Sequence, residues 1–203
     1  MIKTVIFDLG KVIVPFELQR GYAALQPHCN LPVEEVRRRI AAAGIVAPFE
    51  EGRISPKDFV RQFSDVLGLN VEYARFCELW STIFLPEPLL PESLLAGLRQ
   101  RYRLLLLSNT NAIHFEMIRR TYPILRHFHE FVLSYEVGAM KPDPRIYQAA
   151  IERAGCLPQE CFFTDDMEPF VAGARKAGID AVQFQSAAQI QQELRARGIS
   201  WDL

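Results

Sequence analysis

Four short apolar runs in this chain end in residues equipped for chemistry. Residues 4–7 run into Asp8-Leu9-Gly10, and residues 103–107 run into Ser108-Asn109-Thr110-Asn111. Residues 131–133 lead on to Lys141-Pro142, and residues 161–164 end in Asp165-Asp166. The set holds an acid, a hydroxyl beside an amide, an ammonium and a pair of acids. Taken singly each is weak evidence, because an Asp after a strand is commonly a helix cap or turn residue. Together they suit a phosphoryl group. The Asp8 carboxylate can attack phosphorus and form an acyl phosphate. Asp8, Asp165 and Asp166 are hard oxygen ligands of the kind Mg²⁺ prefers. Several carboxylates repel one another and any anionic substrate, so a cation is needed on electrostatic grounds as well. Lys141 can balance charge on Asp8 and on the transferring group, while Ser108 and the amides near Asn109 can hydrogen-bond phosphate oxygens.

These residues meet only if the runs are neighbouring strands. Apolar runs alternating with amphipathic stretches predict a parallel sheet covered by helices on both faces, an α/β fold. In such sheets ligands bind outside the carboxyl ends of the strands, where all four runs deliver their polar residues. The predicted strands are residues 4–7, 103–107, 131–133, 161–164 and 181–184. Predicted helices cover residues 91–102, 112–121, 144–155 and 170–177, with Gly155 and Gly178 as stops. From about Phe16 to Leu85 no strand pattern occurs. Residues 34–43, 56–67 and 73–84 read as helices, the second carrying Phe59, Phe63, Val66 and Leu67 at helical spacing with Ser55 as its cap and Pro56 as its first residue. Pro86, Pro88 and Pro91 then cluster, as expected where a chain leaves one unit for another. The reading is a core of residues 1–15 and 88–203 with a small all-helical unit, residues 16–87, inserted after the first strand.

The ordered set Phe7-Asp8-Leu9-Gly10, Leu107-Ser108-Asn109, Lys141-Pro142 and Phe163-Thr164-Asp165-Asp166 resembles the four motifs of the haloacid dehalogenase superfamily. The phrase Gly138-Ala139-Met140-Lys141-Pro142-Asp143-Pro144-Arg145-Ile146-Tyr147 is similar to its third motif, and the insertion resembles its C1 cap. The resemblance implies a Rossmann-like core with a C1-type cap. It implies Asp8 as nucleophile and metal ligand, the Gly10 carbonyl, Asp166 and Asp165 as further Mg²⁺ ligands, and Ser108, Asn109 and Lys141 around the phosphate. The likeness is greatest to the phosphatases with a Phe-Asp-Leu-Gly first motif. The chain departs from the family at two positions. Most family phosphatases carry a second Asp two residues after the nucleophile, as general acid and then base; here Gly10 stands there. The subgroup often has Asn four residues after the second Asp of the last motif; here that residue is Phe170. Within the cap, Arg53 in Glu50-Glu51-Gly52-Arg53-Ile54-Ser55 is the candidate for contact with the polar end of a substrate.

Composition narrows the classes further. Hydrophobic residues make up 49% of the 203, enough for a packed core, and 23 Lys and Arg nearly balance 24 Asp and Glu. A near-neutral chain has no global electrostatic reason to coat nucleic acid or an anionic membrane. No export signal or membrane span is evident, and Cys29, Cys77, Cys156 and Cys161 lack CxxC spacing, so the expectation is a cytoplasmic protein with reduced, mostly buried thiols. His127-Phe128-His129 has no third ligand in view and is not expected to hold a metal. The expected activity is Mg²⁺-dependent hydrolysis of a small phosphorylated metabolite, a sugar phosphate among the candidates, by a monomer or homodimer. Two readings compete with it. One is a catalytically weak phosphate-binding or regulatory protein on the same scaffold; the other is an L-2-haloacid dehalogenase, in which Asp8 would attack carbon.

Overall fold

The computed structural model describes residues 1–201. Five strands form one parallel sheet: β1 (Thr4–Phe7), β2 (Arg103–Ser108), β3 (Glu130–Leu133), β4 (Cys161–Asp165) and β5 (Asp180–Gln183), in the spatial order β3-β2-β1-β4-β5. The strands read as apolar runs because both faces of the sheet are covered. Their side chains alternate between faces. Val5, Phe7, Leu104, Leu106 and Phe162 enter one apolar cluster, and Ile6, Leu105, Leu107, Cys161 and Phe163 enter a second.

Helices close each face. On the first lie α6 (Glu92–Arg99), α7 (Ala112–Thr121) and α11 (Ala187–Ala196); on the second lie α9 (Pro144–Ala154) and α10 (Glu168–Lys176), with the single turn α8 (Ser134–Val137) after β3. The strand order reverses between β1 and β4. That gap is the switch point at which open α/β sheets leave a crevice. Register puts Phe7 level with both Leu106 and Thr164. The next residues along, Asp8, Leu107 and Asp165, therefore share one level at the rim of the crevice.

Between β1 and α6 the chain forms α1 (Leu18–Leu25), α2 (Val33–Ala43), α3 (Val46–Glu50), α4 (Pro56–Leu67) and α5 (Tyr73–Trp80). These helices bury an apolar cluster of their own, centred on Phe49, Phe59, Phe63, Phe76 and Trp80, to which Ile113 of α7 also belongs. Helix α4 begins as its sequence predicts: Pro56 is its first residue and the Ser55 hydroxyl accepts from the Asp58 amide at 3.1 Å. Prediction and structure part in several places. Residues 73–84 are not one helix, because α5 ends at Trp80 and a 3-10 turn, Ser81–Ile83, follows. Helices α1, α3, α8 and α11 were not predicted. Helix α11 buries only Ile190 and Leu194, too sparse a pattern to read from sequence. The four thiols are free, but only Cys161 is buried, so the expectation of mostly buried cysteines is corrected. His127 bonds Glu92 at 2.9 Å and His129 accepts from the Leu104 amide at 3.0 Å, which occupies both rings structurally.

Candidate active site

The crevice is organised around one ammonium. Lys141 Nζ donates to Asp8 Oδ1 at 2.7 Å, to the Leu107 carbonyl at 3.0 Å and to Asp165 Oδ2 at 2.5 Å. Its three donors are thus spent on three groups that the sheet register had brought level. Lys141 is 3% exposed and Asp165 fully buried, so these charges are out of water and must be paired to be tolerated. The second oxygen of Asp165 accepts from the Met167 amide at 2.9 Å. Asp165 is therefore engaged at both oxygens. Asp166, half-buried beside it, makes no side-chain hydrogen bond or ion pair with another described residue. Ligand oxygens of Asp8, Asp165 and Asp166 lie within 4.8 Å of one another.

The electrostatics of the cluster suit a divalent cation. Burial pushes the Asp8 carboxyl up to about 7, against the pull of Lys141, and the neighbouring Asp165 charge adds to the rise. Burial, then Asp165, raises Asp166 as well. Burial would lower Lys141, but the two carboxylates more than offset it and hold the ammonium above its ordinary value. Three carboxylates cluster, only Asp8 and Asp165 are paired with the ammonium, and burial opposes ionisation of Asp8 and Asp166. A donor set of this kind suits a divalent cation with oxygen preference, and the residues present fit Mg²⁺.

The loop after β2 carries the predicted phosphate residues. Ser108 is buried, and its hydroxyl has only a long contact, 3.5 Å, with the Asn109 carbonyl. The side chain of Asn109 is engaged with the Lys141 backbone: its amide donates to the Lys141 carbonyl at 3.0 Å and its oxygen accepts from the Lys141 amide at 2.7 Å. This two-point clamp fixes the backbone that carries the central ammonium. Ser134, the first residue of α8, holds the same loop, accepting from the Thr110 amide and donating to the Thr110 carbonyl, both at 2.9 Å. Asn111 caps α7 by accepting from the His114 amide at 3.0 Å. His114 itself is buried against Trp80, 5.3 Å between ring centroids, with its Nε2 3.2 Å from the Trp80 carbonyl; burial lowers it to about 4.

Both departures from the expected motifs have a physical counterpart. A Cβ on Gly10 would stand 2.8 Å from the Phe16 ring, so the space a second acid would use belongs to Phe16. That ring packs edge-on against Phe84 and lies 5.3 Å below the Lys11 ammonium. Phe170 presents its ring 5.3 Å from Lys141 Nζ, a cation–π contact where an amide was expected.

A cavity of about 400 Å³ opens from this crevice between sheet and helices. Leu9, Gly10, Ser108 and Asn109 line its floor, and Tyr22, Val46, Glu50 and Trp80 are among the residues opposite. Arg53 is not among them. Its guanidinium is mostly exposed and pairs with Glu51 at 2.5 Å, because the turn at Gly52 carries it away from the cavity. Glu50, passed over in the sequence, is the charged residue this segment turns inward. Nothing in residue type distinguished it from Glu51; the C-terminal turn of α3 decides which of the two faces in.

The similarities agree with this geometry. Residues 2–178 match the sequence profile of haloacid dehalogenase-like hydrolases. The chain is 29% identical to a D-ribitol-5-phosphate phosphatase of Bacteroides thetaiotaomicron, the alignment covering 96% of this chain and 97% of that one. It is 26% identical to a phosphatase of Mycobacterium tuberculosis over 93% of this chain and 89% of the other. Among solved structures, a haloacid dehalogenase family enzyme of Bacteroides thetaiotaomicron in complex with magnesium and inorganic phosphate superposes with a TM-score of 0.83 at 29% identity, covering 92% of this chain and 96% of that one. With the family profile spanning most of its length and the fold matching throughout, the chain belongs to the haloacid dehalogenase-like hydrolases.

Proposed function

We propose that the protein is a Mg²⁺-dependent phosphatase that hydrolyses a small sugar or polyol monophosphate through an aspartyl-phosphate on Asp8. The observation that carries this reading is the Lys141 ammonium bridging Asp8, Leu107 and Asp165, with Asp166 left open beside them. Asp8 attacks phosphorus: its carboxylate oxygen forms the new P–O bond, and the ester P–O bond breaks with its electron pair leaving on the alkoxide, which takes a proton. Water then attacks the acyl phosphate and releases inorganic phosphate and the free carboxylate. Lys141 fixes the attacking carboxylate and meets the negative charge of the transferring group. Asp8, Asp165, Asp166 and the Gly10 carbonyl are the groups that would hold Mg²⁺, which supplies charge neutralisation at the phosphoryl oxygens. Ser108 Oγ, weakly bound within the protein, supplies a phosphate hydrogen bond; the Asn109 side chain acts through the Lys141 backbone.

Support for a sugar or polyol ester comes from the name of the Bacteroides relative and from a cavity of about 400 Å³, which suits a small ligand. With Gly10 in place of the usual acid, leaving groups that need little protonation should be favoured, since a positioned acid typically contributes about 10²–10⁴-fold. The weak-binder reading has one specific observation behind it, the Phe16 ring in the space of that acid. Attack on carbon is disfavoured by Asp166, an acid beside Asp8 and Asp165 that has no side-chain partner among the described residues. Measured with Mg²⁺ and p-nitrophenyl phosphate, the wild type should release phosphate, and Asp8→Asn should lower the rate about 10⁴-fold or more. Release that survives Asp8→Asn sinks the mechanism; absence of release by the wild type favours the binding protein.

A further inference from the structure

The cavity has an unusual charge balance. Its lining contains no Lys or Arg. Three lining groups titrate: Tyr22, His114 and Glu50. His114 stays neutral at ordinary pH, since burial holds it at about 4. Glu50, which burial pushes up to about 7, is thus the lining's one charge once pH exceeds that value. It ends the short helix α3, where an acid faces the carbonyl end of the backbone dipoles and gains nothing. It is half-buried, and its side chain makes no hydrogen bond or ion pair with any described residue. The nearest arginine in sequence, Arg53, is taken by Glu51. Across the same cavity the Trp80 indole Nε1 is buried without an acceptor. Apart from Ser108, Asn109 and Thr110 the remaining lining side chains are apolar, among them Phe16, Ile40, Val46 and Phe84.

We propose that Glu50 is the specificity-determining residue of this pocket, accepting hydrogen bonds from the hydroxyls of a neutral, hydroxyl-bearing monophosphate and excluding substrates that carry a second anionic group. This rests on the phosphatase reading above and deepens it to a substrate class. A carboxylate left unpaired in a partly dry cavity is costly until a donor reaches it. A hydroxylated carbon chain supplies donors and packs its C–H faces on the apolar walls. A substrate carboxylate or second phosphate would instead face Glu50 in a low-dielectric pocket with no lining cation to offset the repulsion. A substrate ammonium would have to shed its hydration among apolar walls to gain one partner.

The test compares the wild type with Glu50→Gln, Glu50→Leu and Glu50→Lys, each checked for a cooperative thermal transition, on four esters with Mg²⁺. These are ribitol 5-phosphate, 3-phosphoglycerate, phosphoethanolamine and p-nitrophenyl phosphate. The wild type should prefer ribitol 5-phosphate to 3-phosphoglycerate by about 100-fold or more in kcat/KM, the size expected of a repelled charge plus unmade hydrogen bonds. Glu50→Leu should lower kcat/KM for ribitol 5-phosphate by about 10- to 100-fold, mainly through KM, with p-nitrophenyl phosphate nearly unaffected. Glu50→Gln should lose less, and Glu50→Lys should gain on 3-phosphoglycerate. Equal losses on the ribityl and aryl esters, or an unchanged ratio between ribitol 5-phosphate and 3-phosphoglycerate, overturn the assignment. So does a wild-type preference for phosphoethanolamine. If the wild type hydrolyses none of the esters, the phosphatase reading fails by itself. The role of Glu50 is then decided by calorimetric binding of ribitol 5-phosphate, where an equal Kd for wild type and Glu50→Leu overturns it.

Discussion

The sheet side and the helical side of the cavity handle buried charge in opposite ways. At the sheet, Lys141, Asp8 and Asp165 satisfy one another, and Asn109 and Ser134 brace the backbone that carries them. On the helical side Glu50 is left without a partner, on the end of a five-residue helix. The first arrangement keeps its geometry whatever ester arrives, which is what a common chemical step requires. The second is satisfied only by an incoming molecule, which is what selection requires. The charges proposed for the chemical step close on each other; the charge proposed for selection does not.

Removing the cation should break the sheet side most completely. Chelation is expected to take phosphate release to background and Mg²⁺ to restore it, measured by a coupled phosphate assay. Added Mg²⁺ should also raise the thermal transition of the wild type, and Asp166→Asn should abolish that shift, since binding to the folded state alone stabilises it. Next in size is Lys141→Met. Taking away the ammonium strands two buried carboxylates, and urea unfolding at pH 7.5 should show a loss of about 3–5 kcal/mol. A loss below about 1 kcal/mol would mean that the sheet-side charges are not coupled as the distances indicate.

The smallest effect separates the two sides by sign. Burial pushes Glu50 up to about 7 from an ordinary 4.5. A raised carboxyl binds its proton more tightly folded than unfolded. Its penalty is therefore absent at pH 4, grows as pH rises past 4.5 and is complete above about 7. Glu50→Gln should accordingly match the wild type at pH 4 and be more stable by about 1–3 kcal/mol at pH 8. Where Lys141→Met weakens the fold, Glu50→Gln strengthens it. Chemical denaturation at the two pH values checks this, and a variant less stable than wild type at pH 8 would show that Glu50 has a partner after all.

Much of the sheet side was legible because its signal is local. Apolar runs mark strands, strand ends collect polar residues, and the order Asp8, Ser108, Lys141, Asp165 follows from a parallel sheet. What escaped depends on contacts between distant segments. The clamp of Asn109 on Lys141 spans 32 residues, and the ring of Phe170 replaces an amide by facing the same ammonium. The choice between Glu50 and Arg53 turned on a single change of chain direction, which neither hydropathy nor charge encodes. Helix α1 was missed because it is short and only Gly21 and Leu25 of its eight residues are buried.

That change of direction sits at Gly52, and it has a consequence for how tightly the helices can rest on the sheet domain. Gly52 has φ +69°, and a Cβ there would overlap the backbone carbonyl of Tyr135 in α8. The two backbones touch with no side chain between them. The depth of the cavity is thus measured out by an absent methyl group. Any other residue at this position would act as a spacer, lifting Glu50 away from the cavity while leaving Asp8 and Lys141 in order below.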